Sequence, residues 1–167
     1  DVPLLNTPAD RAWLMRENYG IEQIFTLHFD AETMRQPWQD FVLQTVLGRY
    51  HAAHVVCGHD FRFGDHGAGD PQKLAALCRA QDVGCDCIPE ICVDGQTVSS
   101  TRIRALLARG DMAQAVRLLG HPHILTGTVV SGRRLGRTIG IPTANLALPE
   151  GLLVPRFGVY AAKACFD

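Results

Sequence analysis

Short runs of β-branched and apolar residues alternate with helical patterns over the first two thirds of the chain. Gln23-Ile24-Phe25-Thr26-Leu27, His54-Val55-Val56-Cys57-Gly58 and Cys85-Asp86-Cys87-Ile88-Pro89 begin about 31 residues apart, the length of a strand, a crossover helix and the return to the next strand. A parallel sheet in an α/β domain is the predicted result. Helix signals lie around these runs. Thr7-Pro8 offers an N-cap and a proline at the first helical position, with Gly20 closing the helix, and Asp70-Pro71 repeats the device ahead of Leu74, Leu77 and Cys78. Pro37 to Leu47 predicts a further helix, ended by Gly48. Beyond a turn at Asp94-Gly95, two short helices are predicted: Thr101 to Arg109, stopped by Gly110, and Met112 to Leu119, capped by Asp111 and stopped by Gly120.

From Ile124 the period changes to two, with Leu125, Gly127 and Val129 set against Ile124, Thr126, Thr128 and Val130, followed by the apolar run Gly158 to Phe166. Antiparallel strands of a barrel or sandwich are expected. The change of period puts a domain junction near Gly120, dividing the chain into 1–120 and 121–167. About 47 residues follow that junction, too few for a complete barrel of ordinary size, so the last domain is expected to be partial. The first residue is aspartate, which suggests a processed start or a piece of something longer.

Composition narrows the class without deciding the function. The 167 residues are 47% hydrophobic and 20% charged with a formal net charge of -1, which describes a globular chain of one domain or of one plus a fragment. No apolar run approaches the roughly 20 residues that span a bilayer, and no secretory leader pattern precedes the first helix, so a cytoplasmic protein is expected. The six cysteines contain no Cys-x-x-Cys pair; reduced thiols are the default, and a zinc site on Cys85, Cys87 and a histidine fits no usual ligand spacing.

Three segments carry candidate chemistry. In Gly136-Arg137-Thr138-Ile139-Gly140-Ile141-Pro142-Thr143-Ala144-Asn145-Leu146, glycines allow a backbone to approach an anion, and alternation in an extended segment puts Thr143 and Asn145 on one face. One hydroxyl and one amide oxygen could meet a single magnesium ion; equally, a Pro-Thr turn before Asn is a common way to begin a strand. In Val98-Ser99-Ser100-Thr101-Arg102-Ile103-Arg104, hydroxyls at a helix start with arginines one turn in suit a phosphate chain, although Ser and Thr also cap helices for structural reasons alone. Gly58-His59-Asp60-Phe61-Arg62-Phe63-Gly64-Asp65 follows the second predicted strand, where open α/β sheets bind ligands. There Phe61 or Phe63 offers a stacking face and Arg62 a charge, or one aromatic simply enters the core.

The wording of these segments is more specific than their spacing. The Pro-Thr-Ala-Asn run preceded by Gly-Arg-x-x-Gly resembles the ATP and magnesium loop of riboflavin kinases. Ser-Ser-Thr-x-Ile-Arg resembles the second signature of nucleotidylyltransferases, and Gly-x-Asp-Phe-Arg-Phe-Gly resembles the flavin-side loop of prokaryotic FAD synthetases. In their order and separation the three are similar to the bifunctional riboflavin kinase/FMN adenylyltransferase family along essentially the whole chain. The resemblance implies a parallel-sheet, nucleotidylyltransferase-like (Rossmann-like) α/β domain followed by the start of an antiparallel β-barrel riboflavin kinase domain. It implies phosphorylation of riboflavin by ATP to FMN, then adenylylation of FMN to FAD, with Mg2+ required. On the same basis Ser100, Thr101 and Arg104 would hold ATP at the adenylylation site, and Gly58, Asp60, Phe61 and Arg62 would lie at the flavin. Gly136, Arg137, Gly140, Thr143 and Asn145 would bind ATP in the kinase site, with Thr143 and Asn145 at the metal. The expected partners are ATP, riboflavin and FMN, with no membrane; self-association is left open.

Two departures follow. The family's His-x-Gly-His signature is absent, and His121-Pro122-His123 is no substitute for it. The kinase carboxylate falls, in the family, beyond Asp167, so no catalytic residue is assigned and the 167-residue chain alone is expected to be inactive. Two rival readings remain: a non-catalytic flavin-binding remnant, and a nucleic-acid or partner-binding surface made by Arg102, Arg104, Arg109, Arg117, Arg133, Arg134 and Arg137. No helix-turn-helix, RNA-binding aromatic signature or zinc finger accompanies those arginines, which makes nucleic acid the weaker reading.

Overall fold

The computed structural model of the chain describes residues 2–132, 140–141 and 143–166. The chain divides into two compact units, one of residues 25–92 and one of residues 1–24 together with 93–167.

In the unit of residues 25–92, β1 (His54–Gly58) and β2 (Gly84–Ile88) pair in parallel, His54 against Gly84 through Gly58 against Ile88. The crossover is α4 (Pro71–Ala80), begun as the sequence predicts by Asp70, whose carboxylate accepts from the Lys73 amide, with Pro71 in the first turn. Its apolar stripe closes a core of Val42, Cys57, Phe63, Leu74 and Cys78, against which Trp38, Phe41, Val55 and Cys85 pack. Two short helical segments, α2 (Ala31–Met34) and α3 (Trp38–Asp40), precede this layer, and α3 runs into a π-helical stretch, Phe41–Arg49.

That stretch corrects the helix expected over 37–47. Gly48 does not end it: the wider turns continue to Arg49, with the Tyr50 amide reaching the Thr45 carbonyl at 3.1 Å and the Ala52 amide reaching Val46 at 3.2 Å. The reversal falls on His51, at φ 50°. The strand expected over Gln23–Leu27 is also absent. The segment has no ladder partner among the described residues, and Phe25 stands 64% exposed, its ring 4.7 Å from that of Tyr50. Alternation and β-branching mark extended backbone, but a strand requires a neighbour to bond.

In the other unit, α1 (Pro8–Tyr19) starts on a capping box in which Thr7 and Asp10 satisfy each other's amides, and it ends on Gly20 at φ 65°. Asp10 is only 6% exposed; besides Thr7, its carboxylate accepts from the Thr126 hydroxyl at 2.6 Å. Helices α5 (Ser100–Arg109) and α6 (Met112–Leu119) end on left-handed Gly110 and Gly120, and α6 is capped by Asp111, all as predicted. They bury Ile103, Leu106, Leu107, Ala115 and Leu118 against one another. The chain enters this unit through the short strands β3 (Cys92–Val93) and β4 (Gln96–Thr97), joined at Asp94 and Gly95 with φ of 52° and 71°, a type I′ turn. Residues 149–156 pack into the same unit: Leu4 bonds Gly151 and Leu153 at 2.8 Å each, and the Arg156 amide reaches the Leu107 carbonyl at 2.9 Å.

The period-two region forms less sheet than expected. β5 (Thr128–Val130) pairs antiparallel with β6 (Asn145–Ala147), Val130 opposite Asn145. Residues 124–127 and 158–166 carry no strand, and no closed barrel is present among the described residues.

Candidate functional site

The loop after β1 is built on its second aromatic. Phe63 is 7% exposed and belongs to the core, where it meets Trp38 edge-on at 6.3 Å and Phe41 at 5.7 Å. Its backbone pairs with Gly69 in an antiparallel bridge, and the ring lies so close to Gly69 that a Cβ there would sit 2.6 Å from it. Phe61 then stacks on Phe63 at 5.0 Å and 19°, leaving its outer side 38% exposed. The ambiguity between the two rings is thus resolved: Phe63 is the anchor and Phe61 the available face. Asp60 and Arg62 flank it, both exposed. The loop's ends are held by the His59 amide on the Ile88 carbonyl at 2.9 Å and the Phe61 amide on Gly58 at 3.1 Å. Arg62 lies 3.9 Å from Asp70, a carboxylate held below its usual range first by the Lys73 amide, with the Lys73 and Arg62 charges assisting.

At the start of α5, Ser99 is the cap, accepting from the Arg102 amide at 3.3 Å. Ser100 and Thr101 stand in the first turn, one residue earlier than the predicted start, and both are exposed. Their hydroxyls are therefore not spent on capping. Arg104, one turn on, donates Nε to the Pro3 carbonyl at 2.8 Å. That uses one of the five N–H donors of the guanidinium and leaves the terminal nitrogens for an anion.

In the third segment Gly140, Thr143 and Asn145 are described and exposed, whereas Gly136, Arg137 and Pro142 lie outside the described residues. Asn145 opens β6, and its amide covers the Cα of Gly132, so closely that a Cβ on Gly132 would overlap it at 2.2 Å. A hydroxyl and an amide oxygen are hard donors of the kind magnesium takes, and two protein ligands with several waters is its ordinary habit, so the donor set fits the ion. Among the described residues no group of three His, Cys, Asp or Glu is placed to hold a metal ion.

Several arginines proposed as a basic surface already have partners. Arg117 Nε meets Asp94 at 2.5 Å, Arg109 lies 3.9 Å from Asp111, and Arg104 is bonded to Pro3. Arg133, Arg134 and Arg137 lie outside the described residues. Of the histidines at the predicted junction, His121 donates Nδ1 to the Pro122 carbonyl at 2.7 Å, and His123 buries an Nε2 that has no hydrogen-bond partner. Burial lowers the His123 pKa, against an opposing hydrogen bond to the Leu153 backbone. Of the two supporting glycines, Gly132 is not singled out by the sequence, and Gly64 stands there only as part of the loop motif and not as a packing position. Gly64 has φ 72° and room for no side chain, since a Cβ would lie 2.5 Å from Trp38 Cα. Only its place directly after Phe63 signals that role.

Comparison with known proteins gives two family matches: the model described as FAD synthetase covers residues 1–102, and that described as riboflavin kinase covers residues 119–167. A bifunctional riboflavin kinase/FMN adenylyltransferase of Listeria monocytogenes is 36% identical, covering 97% of this chain and 51% of its own length. The Bacillus subtilis protein of the same name is 33% identical over 96% of this chain and 50% of its own. The chain thus spans about half the length of the curated relatives it matches. A solved structure described as a macrolide-efflux protein from Streptococcus pneumoniae superimposes with a TM-score of 0.80 at 31% identity, covering 93% of this chain and 49% of that one. Among the described residues no helix is long and apolar enough to cross a membrane.

Proposed function

The chain belongs to the FAD synthetase family, and from that premise we propose that its protein phosphorylates riboflavin with ATP to give FMN and then joins AMP to FMN to give FAD, releasing pyrophosphate. The observation that carries the reading is the succession of an FAD synthetase match and a riboflavin kinase match in one chain. Residues 1–120 form the adenylyltransferase part, and residues 121–167 begin a kinase barrel.

In the adenylyltransferase part, Phe61 offers its exposed face to the isoalloxazine ring, with Asp60 and Arg62 beside it and Gly58 at the end of β1, where the loop begins. Ser100, Thr101 and Arg104 hold the triphosphate: two exposed hydroxyls in the first turn of α5, and a guanidinium that donates Nε to the Pro3 carbonyl and keeps its terminal nitrogens for the anion. In the kinase part, Thr143 and Asn145 would hold Mg2+, which would neutralise phosphate charge, and Gly136, Arg137 and Gly140 would bind ATP. These residues bind and orient two anionic reactants, which is where most of the rate in such transfers originates. The cytoplasm is the compartment that fits this chemistry.

The test is an assay of the full-length gene product with riboflavin, ATP and magnesium, following FMN and FAD chromatographically. FMN followed by FAD is expected; FMN without FAD at excess ATP removes the adenylyltransferase assignment. Arg104→Ala should slow FAD formation by about 10- to 150-fold, as expected for the loss of a charge-assisted contact of about 1.5–3 kcal/mol, and leave phosphorylation intact. Asn145→Ala should do the converse. Equal damage to both activities by either variant would mean a folding role instead.

A further inference from the structure

Four of the six cysteines, Cys57, Cys78, Cys85 and Cys87, gather in the layer of β1, α4 and β2. Alternate residues of a strand share a face, and Cys85 and Cys87 of β2 stand opposite Val55 and Cys57 of β1. The shared face is the one α4 covers, because Cys57 and Cys78 are members of one core and Cys85 packs against it. Cys57 and Cys87 are direct register partners on that shared face. Neighbouring strands run about 4.8 Å apart, and disulfides span Cα separations of about 4.4–6.8 Å, so the register brings Cys57 and Cys87 within the span of a disulfide. The pair is also split in access: Cys87 is exposed, whereas Cys57 is 9% exposed. Cys85 also packs against the core that contains Cys78, but Cys78 is fully buried and Cys85 half-buried, so neither offers an oxidant open access.

We infer that Cys57 and Cys87 are a redox-responsive pair, which a hydroperoxide closes into a disulfide across β1 and β2. The Cys87 thiolate attacks a peroxide oxygen and breaks the O–O bond, giving a sulfenic acid and hydroxide. The Cys57 sulfur then displaces the sulfenic oxygen, which leaves as water with the Cys57 proton. Two thiols and one hydrogen peroxide become one disulfide and two waters. Burial, reinforced by the charges of Cys87 and Cys85, raises the Cys57 pKa, which suits a thiol that resolves the sulfenic acid rather than one that attacks first. The bridge is open to solvent on its Cys87 side, where a reducing thiol can reach it. Its position matters for the loop. Cys57 immediately precedes Gly58, and Cys87 immediately precedes Ile88, whose carbonyl holds the His59 amide, so the closed form ties down the point where the loop leaves the sheet.

The test uses the reduced full-length protein, treated with an equivalent of hydrogen peroxide, alkylated, and analysed by intact mass and peptide mapping. The expected result is an intact mass lower by two hydrogens before alkylation, two fewer alkylated cysteines, and a linked peptide pair containing Cys57 and Cys87. Reduced glutathione should restore the two lost alkylations, and Cys87→Ser should abolish the link while Cys92→Ser leaves it. A Cys78–Cys85 link in place of the expected one, sulfinic acid on Cys87 with Cys57 still alkylated, or an unchanged mass would each overturn the assignment.

Discussion

β1 and β2 share a core with α4, whereas β5 and β6 pair with all their residues exposed. Candidate residues hang from both sheets, but they are held by different means. Phe61 inherits its position from a buried ring, Phe63, that is wedged among Trp38, Phe41 and Gly69. Asn145 is exposed and lies close over one glycine of the facing chain. A covered sheet places a ligand-facing side chain through the rigidity of the interior. An uncovered hairpin places it through a local close approach, which leaves the fold largely indifferent to that residue.

The sharpest way to break this contrast is Phe63→Ala. Removing a buried aromatic costs about 3–5 kcal/mol, so the urea midpoint should fall steeply, while Phe61→Ala, which loses only a stacked and half-exposed ring, should cost about 1 kcal/mol. Equal losses would show that Phe61 is not seated on Phe63. Next in size is Gly64→Ala, where φ 72° and the nearby Trp38 backbone oppose any Cβ; a loss of about 1–3 kcal/mol is expected. Gly132→Ala meets only the movable Asn145 side chain. Its denaturation midpoint should therefore barely change, while riboflavin phosphorylation by the full-length protein falls.

The smallest effect concerns pH. His123 has its folded-state pKa lowered from the ordinary 6.5 by burial. The unfolded chain therefore takes up a proton first as pH falls below about 6.5, and stability declines until the folded form is protonated as well. Thermal midpoints between about pH 8 and pH 5 should show that decline, and His123→Gln should flatten it; an unchanged slope would assign the acid sensitivity elsewhere.

Helix ends were legible because they are written in single residues. Thr7, Asp70 and Asp111 accept amide hydrogens, Gly20, Gly110 and Gly120 turn left-handed, and none of these choices needs a distant partner. The π-helical stretch was not legible, since Gly48 reads as a stop while the left-handed residue is His51. Strands were legible only where a ladder existed: His54–Gly58 found Gly84–Ile88, whereas 23–27 and 158–166 carry the right alternation and form no strand. At the candidate site, the order of motifs was visible in the sequence. Which aromatic is buried was not, because alternation assigns Phe61 and Phe63 to the same face and only the bridge to Gly69 separates them.

The carboxylate of Asp10 is completed by Thr126, 116 residues further along, and the unit that contains both is interrupted in the chain by residues 25–92. Synthesis therefore imposes a schedule. At about 5–20 residues per second, α1 emerges several seconds before Thr126 exists to meet it. During that interval residues 25–92 can already collapse onto Leu74 and Phe63. The inserted unit is complete first and the unit that encloses it in sequence closes last, so a ribosome paused once residue 92 has cleared its exit tunnel, but before Thr126 has, should carry a nascent chain in which residues 25–92 resist protease while residues 1–24 are still cleavable.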